Sequence, residues 1–147
     1  MALRGTYDHS VDAKGRVSLP AKFRKALPEE LTVIPVLNED LGKALYVFSD
    51  EAYDEWIDSF FRKDDGTGRN PRSVKDNKLM AYLDARAETV TVDAAGRIKL
   101  SAKQCSKVGI VKDVHVVGRG DHIEIWDAQT HDDFLDSLDP FAALLEE

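Results

Sequence analysis

Hydrophobic and polar side chains alternate in several short stretches of the chain, and these stretches form two sets. Residues 6–11 open the first set and residues 88–92 open the second, and the alternation predicts a strand at each place. Each set continues with a predicted hairpin, formed by residues 31–34 with 44–48 and by residues 114–117 with 122–126. The pattern therefore predicts a β-rich chain made of two similar units.

Helical periodicity replaces the alternation after each predicted hairpin. Ser49 and Asp127 can cap the helices that begin there. The apolar stripes of these helices consist of Tyr53, Trp56, Ile57, Phe60 and Phe61 in the first and of His131, Phe134, Leu135 and Leu138 in the second. We expect the stripes to pack in the core.

Capping residues predict three more helices. Pro20 suits the first position of a short helix, and Ser101 suits the N-cap of its counterpart in the second unit. Ser73 can cap a connecting helix that runs to about Ala87, with Leu79, Met80 and Leu83 turned inward. Gly, Pro and Asp predict a loop over residues 64–71, and Gly predicts a turn at 118–121.

The two units are similar in sequence as well as in pattern. Residues 12–19 and 93–100 share an Asp-x-x-Gly-Arg signature at an offset of 81 positions. A second match, between residues 45–49 and 123–127, follows at an offset of 78. Two collinear matches indicate a tandem duplication. Because pieces of this size bury too little surface to be robust alone, we expect the two copies to share a core.

Each signature predicts a tight turn between two strands. Asp at the first position can accept backbone N–H bonds, and Gly at the fourth suits the left-handed conformation that closes a short hairpin. The residues in these roles are Asp12 and Gly15 in the first copy and Asp93 and Gly96 in the second. Arg16 and Arg97 then begin the return strands and can bridge back to the Asp.

Charge is distributed unevenly along a chain of net charge −7. Residues 1–27 carry six Lys or Arg and two Asp, a net +4, whereas residues 121–147 carry nine acidic residues and no Lys or Arg. One surface is therefore expected to suit an anion, and the acidic end to be solvated. The basic segment makes nucleic acid a candidate partner in spite of the negative total.

Arg16 is the first candidate for contact with DNA, since a guanidinium offers a rigid fork of donors to phosphate oxygens or guanine edges. Lys14 lies beside it at the predicted tip, where core packing does not explain a cation. The second copy has Ala95 there, so we expect Arg97 to be weaker or structural. The predicted DNA-binding residues are Arg16, Lys14, Arg97, Lys22 and Arg24.

Patterns of catalysis are absent from the sequence. The four His show no metal-ligand spacing, and the single Cys105 is expected to fill the core. A Gly-rich phosphate loop and a nucleophile elbow are both missing. We predict no enzyme activity, no metal and no cofactor. The sequence has neither an apolar run of about 18 residues nor a signal-peptide profile, so a cytoplasmic location and no membrane contact are expected.

These motifs carry a family resemblance. The chain resembles the MraZ family of bacterial transcriptional regulators, within the AbrB-like (SpoVT/AbrB) swapped-hairpin superfamily, from Arg4 to about Leu138. The most specific matches are residues 12–24, residues 93–97 and the block 116–127. Paired signatures at this spacing are a strong signal, whereas either one alone would be weak.

The resemblance implies a mixed α+β, β-rich fold in which two swapped-hairpin halves form a pseudo-dimeric barrel with flanking helices. The expected boundaries are residues 5–52 for the first repeat, 53–86 for a helical connector, 87–130 for the second repeat, and 131–147 for a C-terminal helix with an acidic tail. Arg16 would be the principal DNA contact, with Lys14 beside it. The second copy departs from the family pattern at Ser101 and at 104–106, which implies a smaller role for it.

The resemblance also implies the partners. Proteins similar to this one assemble into rings and bind short direct repeats in the promoter of the division and cell-wall gene cluster. Double-stranded DNA, further copies of the chain and a location at the nucleoid are therefore expected. A second interpretation is an antitoxin-like interaction module that binds a partner protein through residues 141–145 and no nucleic acid. An enzyme is a distant third.

Overall fold

A computed structural model of the chain describes residues 2–138, Phe141 and Leu145. The predictions for residues 139–140, 142–144 and 146–147 lie outside the described residues. The described part contains, in chain order, β1 (Leu3–Ser10), β2 (Arg16–Ser18), α1 (Ala21–Ala26), β3 (Glu30–Asn38), β4 (Gly42–Phe48), α2 (Asp50–Phe61), α3 (Val74–Arg86), β5 (Glu88–Thr91), β6 (Arg97–Lys99), α4 (Ala102–Lys107), β7 (Asp113–Gly120), β8 (Ile123–Asp127) and α5 (Ala128–Asp136). The chain is therefore a mixed, β-rich α+β protein, as predicted.

The strands of the two copies are interleaved. Six of them form one antiparallel sheet in the order β1-β7-β8-β4-β3-β5, and β2 pairs with β6 in a separate two-stranded ribbon. The first strand of each copy joins the hairpin of the other copy, since β1 pairs with β7 and β5 pairs with β3. The hairpin of each copy is therefore extended by a strand that comes from the other copy.

The register places equivalent residues of the two copies opposite each other. Val17 faces Ile98 at the centre of the ribbon, and these positions are 81 residues apart. Tyr46 faces Glu124 at the centre of the β4–β8 ladder, and these are 78 residues apart. An antiparallel ladder in which each segment meets its own equivalent is what a local two-fold axis produces.

The six-stranded sheet separates two hydrophobic cores. The alternation of β4 shows this directly, because Leu45 and Val47 lie in one core and Tyr46 and Phe48 lie in the other. The first core lies between the sheet and a layer made of the β2–β6 ribbon, α1 and α4, and it includes Phe23 of α1. The second core packs the sheet against α2, α3 and α5. The ribbon is therefore an outer layer of the molecule.

The predicted helix caps are confirmed. Ser49, Ser73, Ser101 and Asp127 each precede a helix, and the side chain of each accepts a hydrogen bond from the backbone N–H three residues later. These bonds satisfy N–H groups that have no partner within the helix. Cys105 packs against the first core, where burial raises the pKa of its thiol.

Three local predictions are corrected. Helix α1 begins at Ala21, so Pro20 is its N-cap residue and not its first helical residue. Strand β7 runs to Gly120, which shortens the turn predicted at 118–121 to two residues. The strands that flank each Asp-x-x-Gly-Arg turn do not form a hairpin ladder with each other, because β1 pairs with β7 and β2 pairs with β6.

The apolar stripes are buried only in part. Ile57 and Phe61 of α2 are buried, but Phe60 is 49% exposed and packs edge-on against Trp56. Leu135 on α5 is also half exposed, and so is Leu138, which lies beyond the end of that helix at Asp136. The sheet covers only one side of each helix, so the margins of a wide stripe remain in contact with solvent. The described strands form no closed barrel either, because β1 and β5 end the sheet.

None of the helices in the described ranges is long and apolar enough to cross a membrane.

A pair of histidines joins helix α5 to the sheet. The Nδ1 atoms of His115 on β7 and His131 on α5 are 2.8 Å apart, and His115 Nε2 lies 3.1 Å from a carboxylate oxygen of Asp8. One ring must donate and the other must accept at this contact, so both Nδ1 atoms cannot carry a proton.

Acid is expected to weaken this attachment. Burial, together with the charge of His115, lowers the pKa of His131 below its ordinary value of 6.5. The unfolded chain therefore binds a proton before the folded chain does, so the contribution of His131 to stability is complete above about pH 6.5 and is lost as the pH falls through its folded value. The melting temperature should fall between about pH 7 and about pH 5.

Two variants test this assignment by thermal unfolding across that pH range. His131→Leu removes the titrating group and should show a smaller fall in melting temperature than the wild type, while His9→Gln, which removes a histidine outside this pair, should keep the wild-type fall. An unchanged pH dependence in His131→Leu would contradict the assignment.

Candidate nucleic-acid interface

Both Asp-x-x-Gly-Arg segments adopt the predicted turn. The N–H of Gly15 donates to the carbonyl of Asp12 at 2.9 Å, and the N–H of Gly96 donates to the carbonyl of Asp93 at 2.9 Å. Both glycines have a positive φ, +82° and +79°. Side chains with a Cβ rarely adopt this conformation, which explains why Gly occupies the fourth position in each copy.

Asp12 organises the first turn through both of its oxygens. Oδ1 accepts hydrogen bonds from the N–H groups of Lys14 and Arg16, each at 2.9 Å, and Oδ2 accepts one from Arg16 Nε at 2.7 Å. The backbone N–H of Arg16 is the main cause that lowers the pKa of Asp12 to about 2, and the guanidinium and the Lys14 N–H add to it. The carboxylate therefore stays ionised above about pH 4, and the turn keeps its shape there.

The second turn repeats this arrangement. Asp93 accepts from the N–H groups of Ala95 and Arg97 at 2.9 Å and from Arg97 Nε at 3.0 Å. The Arg97 backbone N–H, followed by the charge of its side chain, lowers the pKa of Asp93 below its ordinary value. These contacts support the structural interpretation of both Asp residues.

The two arginines keep donors for a ligand. The bonds of Arg16 and Arg97 to their aspartates use Nε alone, so neither consumes the two Nη groups, which carry most of the N–H donors of a guanidinium. Both side chains are about one third exposed. Each guanidinium is thus held at its Nε, and its Nη groups remain available as donors on a partly exposed side chain.

The ribbon places the basic side chains on one face. Val17 and Ile98 point into the first core and are 1% and 0% exposed. Because side chains alternate along a strand, their neighbours share the opposite face. This outer face carries Arg16, Ser18, Arg97 and Lys99, with Arg16 opposite Lys99 and Ser18 opposite Arg97. We call it the ribbon face.

Backbone bonds between the copies hold the two turns in place. Leu100 N donates to the Gly15 carbonyl at 2.7 Å, and Leu19 N donates to the Gly96 carbonyl at 2.9 Å. Each turn is therefore fastened to the strand that leaves the other turn. The position of Arg16 depends on both copies, and so does the position of Arg97.

Arg24 lies at the second turn, not at the first. A Cβ placed on Gly96 would overlap the Arg24 guanidinium, so this side chain of α1 covers the turn that carries Arg97. Sequence position had grouped Arg24 with Arg16, but the exchange of strands brings it to the other copy. Lys14 is exposed at the first turn and Lys22 is exposed on α1, as a contact with DNA would require.

Lys99 is a basic residue of the ribbon face that the sequence-based list of DNA-binding residues does not contain. It lies on the ribbon face opposite Arg16. The alternation of Arg97, Ile98 and Lys99 places both cations on the same face of a strand, and this signal was available in the sequence.

Over the described ranges, no group of three or more His, Cys, Asp or Glu side chains is placed to hold a metal ion.

The fold defines a class of α+β protein in which two similar halves share one sheet and expose arginines on a two-stranded ribbon in an outer layer. A family model described as "MraZ protein, putative antitoxin-like" matches residues 2–67 and 83–146, and each stretch contains one Asp-x-x-Gly-Arg turn. The chain belongs to this family, which confirms the resemblance seen in the sequence.

Similar proteins carry the name transcriptional regulator MraZ. The one from Mycoplasmoides gallisepticum is 30% identical over 143 residues, which cover 97% of this chain and 94% of that protein. The one from Acetivibrio thermocellus is 34% identical over 125 residues, with 84% and 79% covered. The one from Alkaliphilus metalliredigens is 32% identical over 149 residues, with 97% and 96% covered.

Proposed function

We propose that this chain is a transcriptional regulator that binds double-stranded DNA through its ribbon face and the two Asp-x-x-Gly-Arg turns. The observation that carries the proposal is the arrangement of Arg16 and Arg97, which are fixed at Nε by the aspartates of the two turns and keep their Nη groups for a ligand. Guanidinium groups held in this way suit phosphate oxygens or guanine edges. The names of the relatives point to the same function.

The DNA-binding residues of this proposal are those predicted from the sequence. Arg16 is the principal contact, Lys14 lies beside it, and Arg97 with Arg24 forms a second group at the other turn. Lys22 adds a cation on α1. The turn residues Asp12, Gly15, Asp93 and Gly96 position these groups and do not contact the ligand.

We further propose that the chain acts as a ring of several copies on short direct repeats in a promoter, that of the division and cell-wall gene cluster, and that it is cytoplasmic and nucleoid-associated. One turn provides only two or three cations, which gives weak binding at physiological salt. Linking several turns raises apparent affinity by about 10²–10⁴ without new contacts. Half-exposed leucines provide apolar surface for contacts between copies: Leu37 near the end of β3, Leu41 in the β3–β4 turn, Leu135 on α5 and Leu138 just beyond it.

Fluorescence anisotropy with labelled duplexes tests the proposal. The wild-type chain is expected to bind a duplex from its own upstream promoter more tightly than a shuffled duplex, and the affinity should fall steeply with salt. Duplexes with one, two and three boxes should bind with rising affinity. Equal affinity for the promoter and shuffled duplexes at low salt would contradict sequence-specific binding, and equal affinity for one box and several would contradict the multivalent ring.

The antitoxin-like part of the family description favours one alternative, a module that binds a partner protein and no DNA. Truncation after Leu138 distinguishes the two functions. Loss of a bound protein from pull-downs, with no DNA binding by the full chain, would favour the alternative. Retained promoter binding by the truncated chain would favour the regulator.

A further inference from the structure

Lys99 comes from the second copy but lies at the first turn. Its register partner across the ribbon is Arg16, and both side chains are on the ribbon face. The Cγ atom of Lys99 is 4.0 Å from where a Cβ on Gly15 would lie, so the aliphatic part of the side chain passes close to the tip of the first turn. The next residue, Leu100, donates its N–H to the Gly15 carbonyl, which fixes this approach.

The charges at the two ends of the ribbon face differ. Arg16 and Arg97 are each paired with an aspartate. Lys99 is exposed and forms no ion pair with the other described residues. Its counterpart in the first copy is Ser18, which faces Arg97 and carries no charge. The positive charge of Lys99 is therefore not compensated within the described chain, and it is added to the end where Lys14 and Arg16 lie.

We propose that Lys99 binds a backbone phosphate of the DNA beside Arg16, so that the phosphate-binding cluster of the first turn is built from both copies. This inference rests on the proposed function. An ammonium on a flexible stem with no protein partner suits a phosphate, which is a point of negative charge on every nucleotide, better than it suits a base edge. The contact strengthens binding to all sequences alike and makes the first turn the stronger of the two ends.

Lys99→Gln tests the contact against Lys78→Gln, which removes the same charge from an exposed position of α3 on the other side of the sheet. Both variants have the same net charge, so an effect of total charge alone would be equal in the two. Anisotropy titrations with the promoter and shuffled duplexes over a salt series give the affinity and its salt slope. Circular dichroism and thermal unfolding verify that each variant is folded.

Lys99→Gln is expected to lower the affinity for both duplexes by about fivefold at physiological salt and to reduce the salt slope by about 0.9 for each ribbon engaged, because one phosphate contact is lost. Lys78→Gln should change neither quantity. An unchanged affinity and slope in Lys99→Gln, in a protein whose wild type binds the promoter, would overturn the inference and leave the proposed function intact. A loss confined to the promoter duplex would also overturn it, since that would indicate base contact. The absence of DNA binding by the wild type would reject the proposed function itself.

Discussion

Replacing Arg16 by Ala is expected to lower the affinity for promoter boxes by about fivefold to 150-fold for each ribbon that contacts DNA, the effect of losing one specific arginine contact of about 1–3 kcal/mol. The structure gives a reason to expect a large effect at this residue. Its Nε is held by Asp12 at 2.7 Å, so binding DNA requires little further ordering of the side chain. In a multivalent assembly the losses at several ribbons combine, and the observed effect should exceed that of one contact.

Anisotropy titrations with promoter and shuffled duplexes measure this loss, and Arg69→Ala is the matched control. Arg69 is exposed in the loop between α2 and α3, so its removal changes the charge equally and should leave binding unchanged. Promoter affinity that falls in Arg16→Ala while shuffled-duplex affinity does not would assign a base contact. An equal fall for both duplexes would assign a phosphate contact. Wild-type affinity in Arg16→Ala would contradict the proposed interface.

Arg16→Lys separates charge from geometry. Lysine keeps the positive charge, but it lacks the Nε donor that binds Asp12 and the planar fork that can contact a guanine edge. Salt-dependent binding should therefore remain while the preference for promoter over shuffled DNA declines. A variant with full wild-type preference would show that Arg16 acts only as a charge.

Features with local causes could be predicted from the sequence. The side chain of Ser73 or of Ser101 caps a helix through the N–H three residues later, and Asp12 shapes its turn through N–H groups within four positions. Such contacts depend on neighbours in the chain, so residue type and spacing suffice. The two collinear internal matches gave the two-copy organisation, and the family resemblance added the fold class.

Features that depend on the partner of a strand could not be predicted. Alternation indicates that residues 6–11 form a strand, but it does not indicate that β7 of the other copy pairs with it. The same exchange places Arg24 on the turn of Arg97 and Lys99 opposite Arg16. A residue that completes a site can therefore lie far from the rest of that site in sequence. Grouping charged residues by their place in the sequence then assigns such a residue to the wrong turn.

Glu124 shows the same difficulty for a single residue. It belongs to the acidic C-terminal segment, yet it is fully buried on β8. Burial alone would raise the pKa of its carboxyl, but hydrogen bonds from His122 and Trp126 and the charge of Arg119 outweigh burial and hold that pKa below the ordinary value. Burial, with the charge of the Glu124 carboxylate adding to it, raises the pKa of Tyr46 to about 12. Only the assembled sheet brings these partners together.

Gly15→Ala should be among the most destabilising single substitutions in the ribbon. Gly15 has φ +82°, and a Cβ there would lie 2.6 Å from the carbonyl oxygen of Leu100, which is backbone and cannot rotate away. The left-handed conformation alone costs a residue with a Cβ about 1–2 kcal/mol. Forcing the Leu100 backbone of the second copy away from the first turn should add about 1–3 kcal/mol, as overpacking does elsewhere in proteins. The free energy of unfolding should therefore fall by roughly 2–5 kcal/mol.

Gly66→Ala supplies the comparison that isolates the contact between the copies. Gly66 also has a positive φ, +87°, but nothing lies within 4 Å of where its Cβ would be. It should lose only the conformational part, about 1–2 kcal/mol, and keep wild-type DNA binding. Urea denaturation of both variants measures the difference. Gly15→Ala should also bind promoter DNA less tightly under conditions where it remains folded, because the bond from Leu100 that fixes the Arg16 turn is displaced. Equal losses of stability in the two variants would show that the first turn does not depend on close contact with the second copy.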